Sequence, residues 1–577
     1  MARTRVRSTL RLLTLLCLMI AGSGVVAGRL FWLQVMDSSR MSAMAAEQRM
    51  RTLTLPAHRG SILAADGSEL AISMDTKTVY ASPREITDPV AAALALAPVL
   101  AIDRAKLQDK LTGDSGFVYV ARRQEPEIAE QVEALGLPGV GLVPEPKRYY
   151  PSGPLAAQVL GFVGDENKGL AGLESAYDDV LTGRPGRAVT ERDPAGRTIP
   201  VGESSVTEAV EGNNLVLTID KQIQYQAEAA LARAIKAWNA HAGTVIVMSP
   251  QTGAILAMAN NPAFDPNDLD SSTAASRKNG AAVDVMEPGS VSKMVTAAAA
   301  LESSVTTPSE VMSVDDELRI GTKTFKDSHP HPVQNMTFSQ IIQSSSNVGT
   351  IKVAERLGKQ SLHDYLGKFG YGRKTGLGFP GESAGILPNP DGWWQTSLGT
   401  IAIGQGVAVT PLQMAKAYAT LANGGVEMEP NLVLATVDPE GKRHYAKSPP
   451  GNRVIQSETA KTLTEMLVGV TEGKDGTGSA AAIPGYRVAG KTGTAQKPKI
   501  GAPGYSGYMA SFVGFAPADN PKLVVAVVLD DPQPFLAGET AALTFKEVME
   551  FGLRRLGADA SPGRVMQGSA LAAPSTG

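Results

Sequence analysis

The chain has 577 residues, which is too long for one ordinary hydrophobic core, so two or three domains are expected. Hydrophobic residues make up 43% and charged residues 19%, a composition that excludes a largely disordered protein. The net charge of -3 gives no electrostatic support for a nucleic-acid partner. The one cysteine, Cys17, excludes an intrachain disulfide.

Residues 12–35 carry the pattern of a membrane anchor. Four arginines lie within residues 1–11, and a mostly apolar run follows them. Because ~20 apolar residues span a bilayer, this run predicts one transmembrane segment. The positive-inside rule then predicts residues 1–11 in the cytoplasm and the rest of the chain outside. A cleaved signal peptide is the alternative, since small residues occupy positions 21–24. The apolar run continues beyond them, which favours the uncleaved anchor.

The segment between the anchor and about residue 211 predicts a separate module. Residues 36–55 read as a helical continuation followed by a short linker. From residue 57 onward the segment is rich in Gly, Pro and charge, with short strand-like runs such as residues 117–120. This composition indicates an irregular and extended module over residues 36–211.

Residues 212–556 predict an α+β domain. The predicted elements are a strand at residues 214–220, a helix at 222–238, and two strand pairs, at 243–248 with 254–259 and at 508–515 with 522–529. Alanine-rich helical stretches lie between the two pairs. Strands at both ends and helices in the middle predict a sheet that both ends of the domain build. The remaining residues, 557–577, are mostly Ala, Gly, Ser and Pro and predict a disordered tail.

The first candidate for chemistry is Ser290, with Lys293 three residues later. Pro288 and Gly289 precede a strong helix-forming run, so the hydroxyl is expected at a helix N-terminus with the lysine one turn on. A serine is a weak nucleophile until a base takes its proton. A lysine can be that base when burial or nearby cations lower its pKa. The pattern by itself also fits an ordinary capped helix with an exposed lysine.

The second candidate is the pair Ser345 and Asn347, which follows a predicted helix ending near Gln343. A hydroxyl and an amide on one short loop can relay a proton and hold a peptide. Ser and Asn are also common at helix caps and turns, and this pair alone favours that interpretation.

The third candidate is the run Lys491, Thr492, Gly493 and Thr494. It is predicted to lie on an edge strand, whose free backbone groups can pair with an extended peptide. The lysine and the threonines can hold a terminal carboxylate, and the glycine lets a substrate approach the backbone closely. A plain turn between strands explains the run equally well when it is considered alone.

Two similar patterns predict no site. Lys374-Thr-Gly376 repeats the triplet within a turn-rich segment and is interpreted as a loop. Gly485 to Thr492 matches a phosphate-binding loop, which would make the chain a nucleotide-binding ATPase. That motif needs a following helix. Prolines and glycines follow here instead, so the strand interpretation is favoured.

The order S-x-x-K, S-x-N and K-T-G is the signature of penicillin-binding proteins and serine β-lactamases. The chain resembles the class B penicillin-binding proteins of the division type along nearly its whole length. Arg59-Gly-Ser-Ile, Arg148-Tyr-Tyr-Pro and Gly169-Leu-Ala-Gly-Leu-Glu are similar to the family's pedestal patterns, and Ala259-Asn-Asn-Pro to its usual entry into the catalytic domain. The resemblance implies a dimerisation or pedestal domain at residues 36–211. It also implies a transpeptidase domain at 212–556, with a five-stranded antiparallel sheet flanked by helices.

The resemblance also implies the roles of the candidate residues. Ser290 would be the nucleophile, Lys293 its base, and Ser345 a proton shuttle to the leaving D-alanine, while Asn347 would hold the acyl-donor peptide. The substrate carboxylate would bind to Lys491, Thr492 and Thr494 beside Gly493. The backbone N–H groups of Ser290 and Thr494 would form the oxyanion hole.

The implied activity is cross-linking of peptidoglycan stem peptides at the septum, with β-lactams as covalent inhibitors. By the same resemblance, a polytopic glycan polymerase and other division proteins would be partners, and no cofactor is expected. The six histidines form no plausible metal set, because the only close pair, His329 and His331, is interpreted as a surface turn. The alternatives are an elongation-type transpeptidase, a penicillin sensor or β-lactamase, and a non-catalytic scaffold. We find no E-x-x-L-N stretch of the kind that supplies a deacylating glutamate after Asn347, and the intact Ser290 and Lys293 disfavour a scaffold.

Overall fold

The computed structural model describes residues 2–37, 40, 50–191, 204–447, 449–498, 504–534 and 538–562. The chain divides into two compact units, and each is made of separate stretches. The smaller unit comprises Met1–Ala57, Lys77–Glu145 and Gly183–Glu211, and the larger comprises His58–Thr76, Pro146–Thr182 and Gly212–Gly577.

The N-terminal helix Ala2–Phe31 continues into a π-helical turn, Trp32–Met36. Within the described ranges, Leu10–Met36 is the one helical segment long and apolar enough to cross a membrane. Its apolar side chains are exposed, as expected for a helix that packs against lipid rather than against a protein core. The segment includes the predicted residues 12–35.

The smaller unit has two sheets and its own hydrophobic core. One sheet orders Met50–Leu55, Gly186–Glu191 and Ser204–Thr207, and the other orders Val118–Gln124, Lys77–Ala81 and Val140–Pro144. Besides the N-terminal helix, its α-helices among the described residues are Pro89–Leu100, Arg104–Leu111 and Pro126–Ala134. Fully buried Val79, Leu96 and Leu107 form the centre of the core. The linker predicted over residues 36–55 is wrong at its end, because residues 50–55 form a strand whose partner lies more than 130 residues away.

The larger unit is built on a five-stranded antiparallel sheet, so the predicted fold class is confirmed. The strand order is Ile255–Asn261, Ala242–Met248, Leu523–Asp530, Tyr505–Ala516 and Ala489–Pro498. Successive side chains along a strand point to opposite faces of the sheet and pack into two cores. Val245 and Val247 face one hydrophobic cluster, while Ile246 and Met248 face the other. The helices Lys221–Ala237 and Thr540–Arg555 cover the first face.

Shorter helices cover the second face and surround the sheet. They are Ala157–Leu160, Gly172–Ala176, Asp178–Leu181, Ala274–Arg277, Gly280–Val283, Lys293–Glu302, Phe338–Gln343, Asn347–Leu357, Lys359–Lys368, Ser397–Ala402, Pro411–Ala422 and Ser457–Glu472. A six-stranded sheet orders Arg443–Tyr445, Val433–Val437, Asn214–Leu217, Ile62–Leu63, Glu69–Met74 and Lys147–Tyr149. Three two-stranded ribbons pair Val311–Val314 with Gln334–Thr337, Glu317–Ile320 with Lys323–Lys326, and Val426–Glu427 with Asn452–Arg453.

Residues 557–562, the first part of the predicted disordered tail, pack against the larger unit. Ala558 and Ser561 are buried, and the Tyr486 hydroxyl donates to the carbonyl of Ala558. The Ser561 hydroxyl accepts the backbone N–H of Arg487, so these small residues fill space beside the sheet. The prediction is therefore wrong for residues 557–562, and residues 563–577 lie outside the described residues.

A buried ionic network holds together distant parts of the larger unit. Glu174 accepts hydrogen bonds from Arg59 Nε at 2.6 Å and from Arg148 Nε at 2.7 Å, and all three side chains are at most 1% exposed. Arg59 also pairs with Asp178 at 2.7 Å. Since neither arginine can lose its proton, the network depends on the carboxylate of Glu174.

We predict that Glu174→Gln destabilises this unit strongly. The change leaves two buried guanidinium groups with too little negative charge, at a cost of about 3–5 kcal/mol. Urea unfolding of the purified protein should show a clearly lower midpoint. Lys278→Gln is the control, because the Lys278–Asp284 pair is half exposed and should contribute at most about 1 kcal/mol. Equal midpoints for the two variants would contradict the prediction.

Candidate active site

Ser290 lies on a tight turn that leads into a helix. The 3₁₀ turn Gly289–Ser292, here called the nucleophile turn, runs directly into the helix Lys293–Glu302, as the sequence predicted. Gly289 has a φ of 54°, and its backbone N–H donates to Gly404 O at 2.9 Å. A methyl group there would overlap the carbonyl oxygen of Thr494. Only glycine therefore lets this turn lie against the strand that carries Thr494.

Lys293 is fully buried beneath this turn. Its ammonium donates to Ser345 O at 2.6 Å and to Asn347 Oδ1 at 2.7 Å, and it lies 3.3 Å from Ser345 Oγ. Burial lowers its pKa to about 7, against an opposing effect of the Asp327 carboxylate. A lysine with this pKa is partly neutral at neutral pH, so it can accept a proton from a nearby hydroxyl.

Ser345 and Asn347 lie where one helix ends and the next begins. Residues 344–346 connect Phe338–Gln343 to Asn347–Leu357. Ser345 has a φ of 61°, an uncommon conformation for a residue with a side chain. Ser346 caps the second helix by accepting the backbone N–H of Gly349 at 2.9 Å. The predicted loop is present, and its strained residue is the serine nearest to Lys293.

Asp327 holds this loop in place and was not singled out from the sequence. Its Oδ1 accepts the backbone N–H groups of Asn347 at 2.5 Å and Val348 at 3.0 Å. Its Oδ2 accepts the Ser346 hydroxyl at 2.6 Å. The residue lies about twenty positions earlier, in a loop of Ser, His and Pro that reads as an ordinary turn. No local pattern indicates that it reaches the Ser345 loop.

The strand Ala489–Pro498 forms one edge of the five-stranded sheet. Among the described residues, it pairs on one side only, with Tyr505–Ala516. Thr492 Oγ1 lies 2.8 Å from Thr477 Oγ1, while Thr494 is partly exposed. A side chain at Gly493 would overlap Ser511 Oγ and press on Val291 of the nucleophile turn. Two glycines, Gly289 and Gly493, thus allow the close packing of this turn and the edge strand.

Lys491 is also fully buried. Among the described residues, its ammonium makes long hydrogen bonds, at 3.3 Å to Thr492 Oγ1 and 3.4 Å to Thr492 O. Burial lowers its pKa well below the usual value, and the positive charge of Lys293 lowers it further. The protonated form of Lys491 would therefore be stabilised by an anionic group bound next to it.

The structure brings all the predicted site residues to one place. Hydrogen bonds join Lys293 to the Ser345 loop, and the backbone of Thr494 abuts Gly289. The two similar patterns lie elsewhere or fold differently. Thr375 donates its N–H and hydroxyl to Glu382 within a loop, and Lys491 lies in a strand rather than before a helix. The arrangement combines a hydroxyl, a base that can be neutral, a second cation and free backbone groups.

Comparison with known proteins identifies the family. Residues 243–550 match the penicillin-binding protein transpeptidase domain, and residues 54–217 match the penicillin-binding protein dimerisation domain. The chain belongs to the penicillin-binding protein transpeptidase family. The resemblance to its class B members is confirmed.

Relatives support this assignment over most of the chain. The chain is 35% identical to penicillin-binding protein PbpB of Mycobacterium tuberculosis, covering 93% of this chain and 84% of that protein. It is 33% identical to peptidoglycan D,D-transpeptidase FtsI of Escherichia coli, covering 94% and 90%. The crystal structure of penicillin-binding protein 3 from Mycobacterium tuberculosis complexed with aztreonam is 31% identical, with a TM-score of 0.71 and coverage of 90% and 100%.

We predict that Gly289→Ala separates the nucleophile turn from the edge strand. The added methyl group meets the Thr494 carbonyl, and the positive φ is strained for alanine, so the protein should lose roughly 1–3 kcal/mol of stability. Thermal unfolding should show a lower midpoint. Gly367→Ala is the control, because Gly367 lies in the helix Lys359–Lys368 with open space around its α-carbon. A variant at Gly289 as stable as that at Gly367 would contradict this interpretation.

Proposed function

We propose that this protein is a serine D,D-transpeptidase that cross-links peptidoglycan stem peptides through an acyl-enzyme on Ser290. The observation that carries the proposal is the burial of Lys293, three residues from the serine, with hydrogen bonds to Ser345 and Asn347. Serving as a general base at neutral pH requires this lowered pKa. An ordinary capped helix would leave its lysine in solvent.

The proposed acylation step uses three groups around the serine. Neutral Lys293 takes the Ser290 proton as Oγ attacks the penultimate D-alanyl carbonyl. Backbone N–H groups of Ser290 and Thr494 stabilise the negative charge on the carbonyl oxygen, since both lie where the turn abuts the edge strand. The peptide C–N bond then breaks, and Ser345 passes a proton to the departing D-alanine amine. An amine from a second stem peptide attacks the ester and releases Ser290.

Substrate binding is assigned to the edge strand and Lys491. The carboxylate of the terminal D-alanine would bind to Lys491, Thr492 and Thr494, because this anion supplies the charge that the buried Lys491 ammonium lacks. The peptide backbone of the acyl donor would pair with the free edge of the strand. Asn347 would hold the donor peptide through its side-chain amide.

The relatives support the substrate class and the inhibitor class. The Escherichia coli relative is named a peptidoglycan D,D-transpeptidase, and the Mycobacterium tuberculosis structure holds aztreonam. We therefore propose β-lactams as covalent inhibitors of this protein. Their carboxylate or sulfonate and strained amide match the anion site and the nucleophile.

We further propose that residues 12–35, within the helical segment Leu10–Met36, anchor the protein in the membrane, with residues 1–11 in the cytoplasm and the residues after the anchor outside. Residues 36–211 would form the pedestal and residues 212–556 the catalytic domain, in line with the two matched family models. Septal wall synthesis, with a polytopic glycan polymerase and other division proteins as partners, is favoured by the similarity to FtsI. An elongation role is the alternative, which localisation of a fluorescent fusion to septum or side wall would decide.

We predict that the purified protein forms a covalent adduct with fluorescent penicillin and that Ser290→Ala abolishes it. The adduct requires the Ser290 oxygen, so no other residue can replace it. Labelling followed by denaturing electrophoresis and mass spectrometry of the modified peptide measures the result. Ser303→Ala, at the exposed end of the same helix, is the control and should label normally. Wild-type protein that folds but never labels would overturn the proposed function.

The rate of acylation should rise with pH through about 7, the pKa of Lys293, and level off above it. The protonated lysine cannot accept the serine proton, so the acidic side of the profile loses activity. Lys293→Ala should lower the rate ~10²–10⁴-fold, the usual contribution of a general base. Stopped-flow measurements with a chromogenic β-lactam across the neutral range test both statements. A rate independent of pH would show that another group removes the proton.

A further inference from the structure

His331 contacts the carboxylate that holds the Ser345 loop. Its Nε2 lies 3.1 Å from Asp327 Oδ2, and its Nδ1 lies 2.8 Å from the carbonyl oxygen of Pro332. A carboxylate oxygen and a carbonyl oxygen only accept hydrogen bonds. Both ring nitrogens must therefore carry a proton for both bonds to exist, which makes the ring a cation. The imidazole is 17% exposed and the carboxylate 7% exposed, so water weakens their interaction only in part.

This pair leads to the catalytic base through a short chain of hydrogen bonds. Asp327 fixes the backbone of Asn347, and the Asn347 side chain bridges Lys293 Nζ and the carbonyl of Lys326. The same carboxylate acts on Lys293 electrostatically, since its negative charge favours the protonated ammonium. A cation at His331 offsets this charge. The pair thus influences both the position of the loop and the protonation of the base.

We propose that Asp327 and His331 are positioning residues for the acylation step. Asp327 holds residues 345–347 against Lys293, and the imidazolium of His331 keeps the carboxylate from stabilising the protonated base. The inference rests on the proposed function, because it concerns the proton that Lys293 takes from Ser290. Nothing in the three sequence motifs indicates it.

Other charged groups surround Asp327 and His331 and also act on the protonation of the imidazole. They are Asp315 and Asp316 on the preceding turn, Lys352 on the helix Asn347–Leu357, Lys326 beside Asp327, and Lys293 itself. Asp315 pairs with Lys352 at 3.0 Å and Lys326 with Glu317 at 3.3 Å. The backbone carbonyl of Asp316 accepts the N–H of Asp327. The hydrogen bond to the Pro332 carbonyl and then the Asp327 carboxylate raise the pKa of His331, and the charge of Asp316 adds to this.

The test compares pH profiles of β-lactam acylation for the full-length protein and its variants. His331→Gln removes the cation while its amide still reaches Asp327. The uncompensated carboxylate then favours protonated Lys293, so the midpoint of the acid limb should move up by about 0.5 pH unit, or about threefold in rate below the midpoint. The alkaline plateau should stay unchanged, because Lys293 is neutral there whatever the charge at position 331. His329→Gln, an exposed histidine in the same loop, should leave the profile unchanged.

Asp327→Asn tests whether His331 acts through the carboxylate. The amide keeps an acceptor for the backbone N–H groups but loses the negative charge, so the acid limb should move down and the plateau should fall. Adding His331→Gln to this variant should then shift the midpoint no further. Superimposed profiles for wild type and His331→Gln, with normal acylation, would overturn the inference. An equal shift in both backgrounds would do the same, whereas absent acylation in the wild type would instead overturn the proposed function.

Discussion

The ammonium of Lys293 is buried away from solvent, and its three oxygen neighbours carry no full negative charge. Removing an ammonium from water costs several kcal/mol unless its charge is compensated. The protein recovers part of this cost through the Ser345 carbonyl and the Asn347 amide, and more weakly through the distant Asp327 carboxylate. The remaining cost appears as the lowered pKa, which gives the lysine its capacity to act as a base. Residues 344–346, the helix cap Ser346 and the carboxylate of Asp327 keep these oxygen neighbours in place around Lys293.

A second constraint is the close approach of the nucleophile turn to the edge strand. Gly289, Gly404 and Gly493 each leave no room for a methyl group, because backbone or side-chain atoms of the opposite segment fill that space. The nucleophile turn and the edge strand come from positions more than 200 residues apart in the chain, and Gly404 lies between them in sequence. Their contact places the backbone of Thr494 beside that of Ser290, as an oxyanion hole with one donor from each segment requires. Substitution of any of these glycines would act by moving the nucleophile turn away from its neighbours, and not by removing a reacting group.

Much of the fold could be predicted from the sequence because its signals are local. The two strand pairs, the helix after residue 220 and the helix that begins at Lys293 each show their own periodicity or breakers. The three site motifs could be combined because each is short and their order is diagnostic. The strand Met50–Leu55 could not be predicted, since its partner Gly186–Glu191 is remote. Asp327 and His331 were missed for the same reason, because their importance comes from a contact across about twenty residues and not from their neighbours. Residues 557–562 resemble a tail in composition but fill a gap beside Tyr486.

The five-stranded sheet ends at Ala489–Pro498 with a row of backbone groups that no described strand satisfies. A peptide that binds there extends the sheet through its backbone N–H and C=O groups, which do not depend on the side chains it carries. Backbone pairing by itself does not distinguish side chains, so under the proposed function discrimination would fall to the proposed anion site at Lys491 and to the geometry around Ser290. A compact molecule that imitates one peptide bond and one terminal charge can satisfy the same two requirements. Under the proposed function, the same open edge that would bind wall peptides would also expose the protein to such mimics.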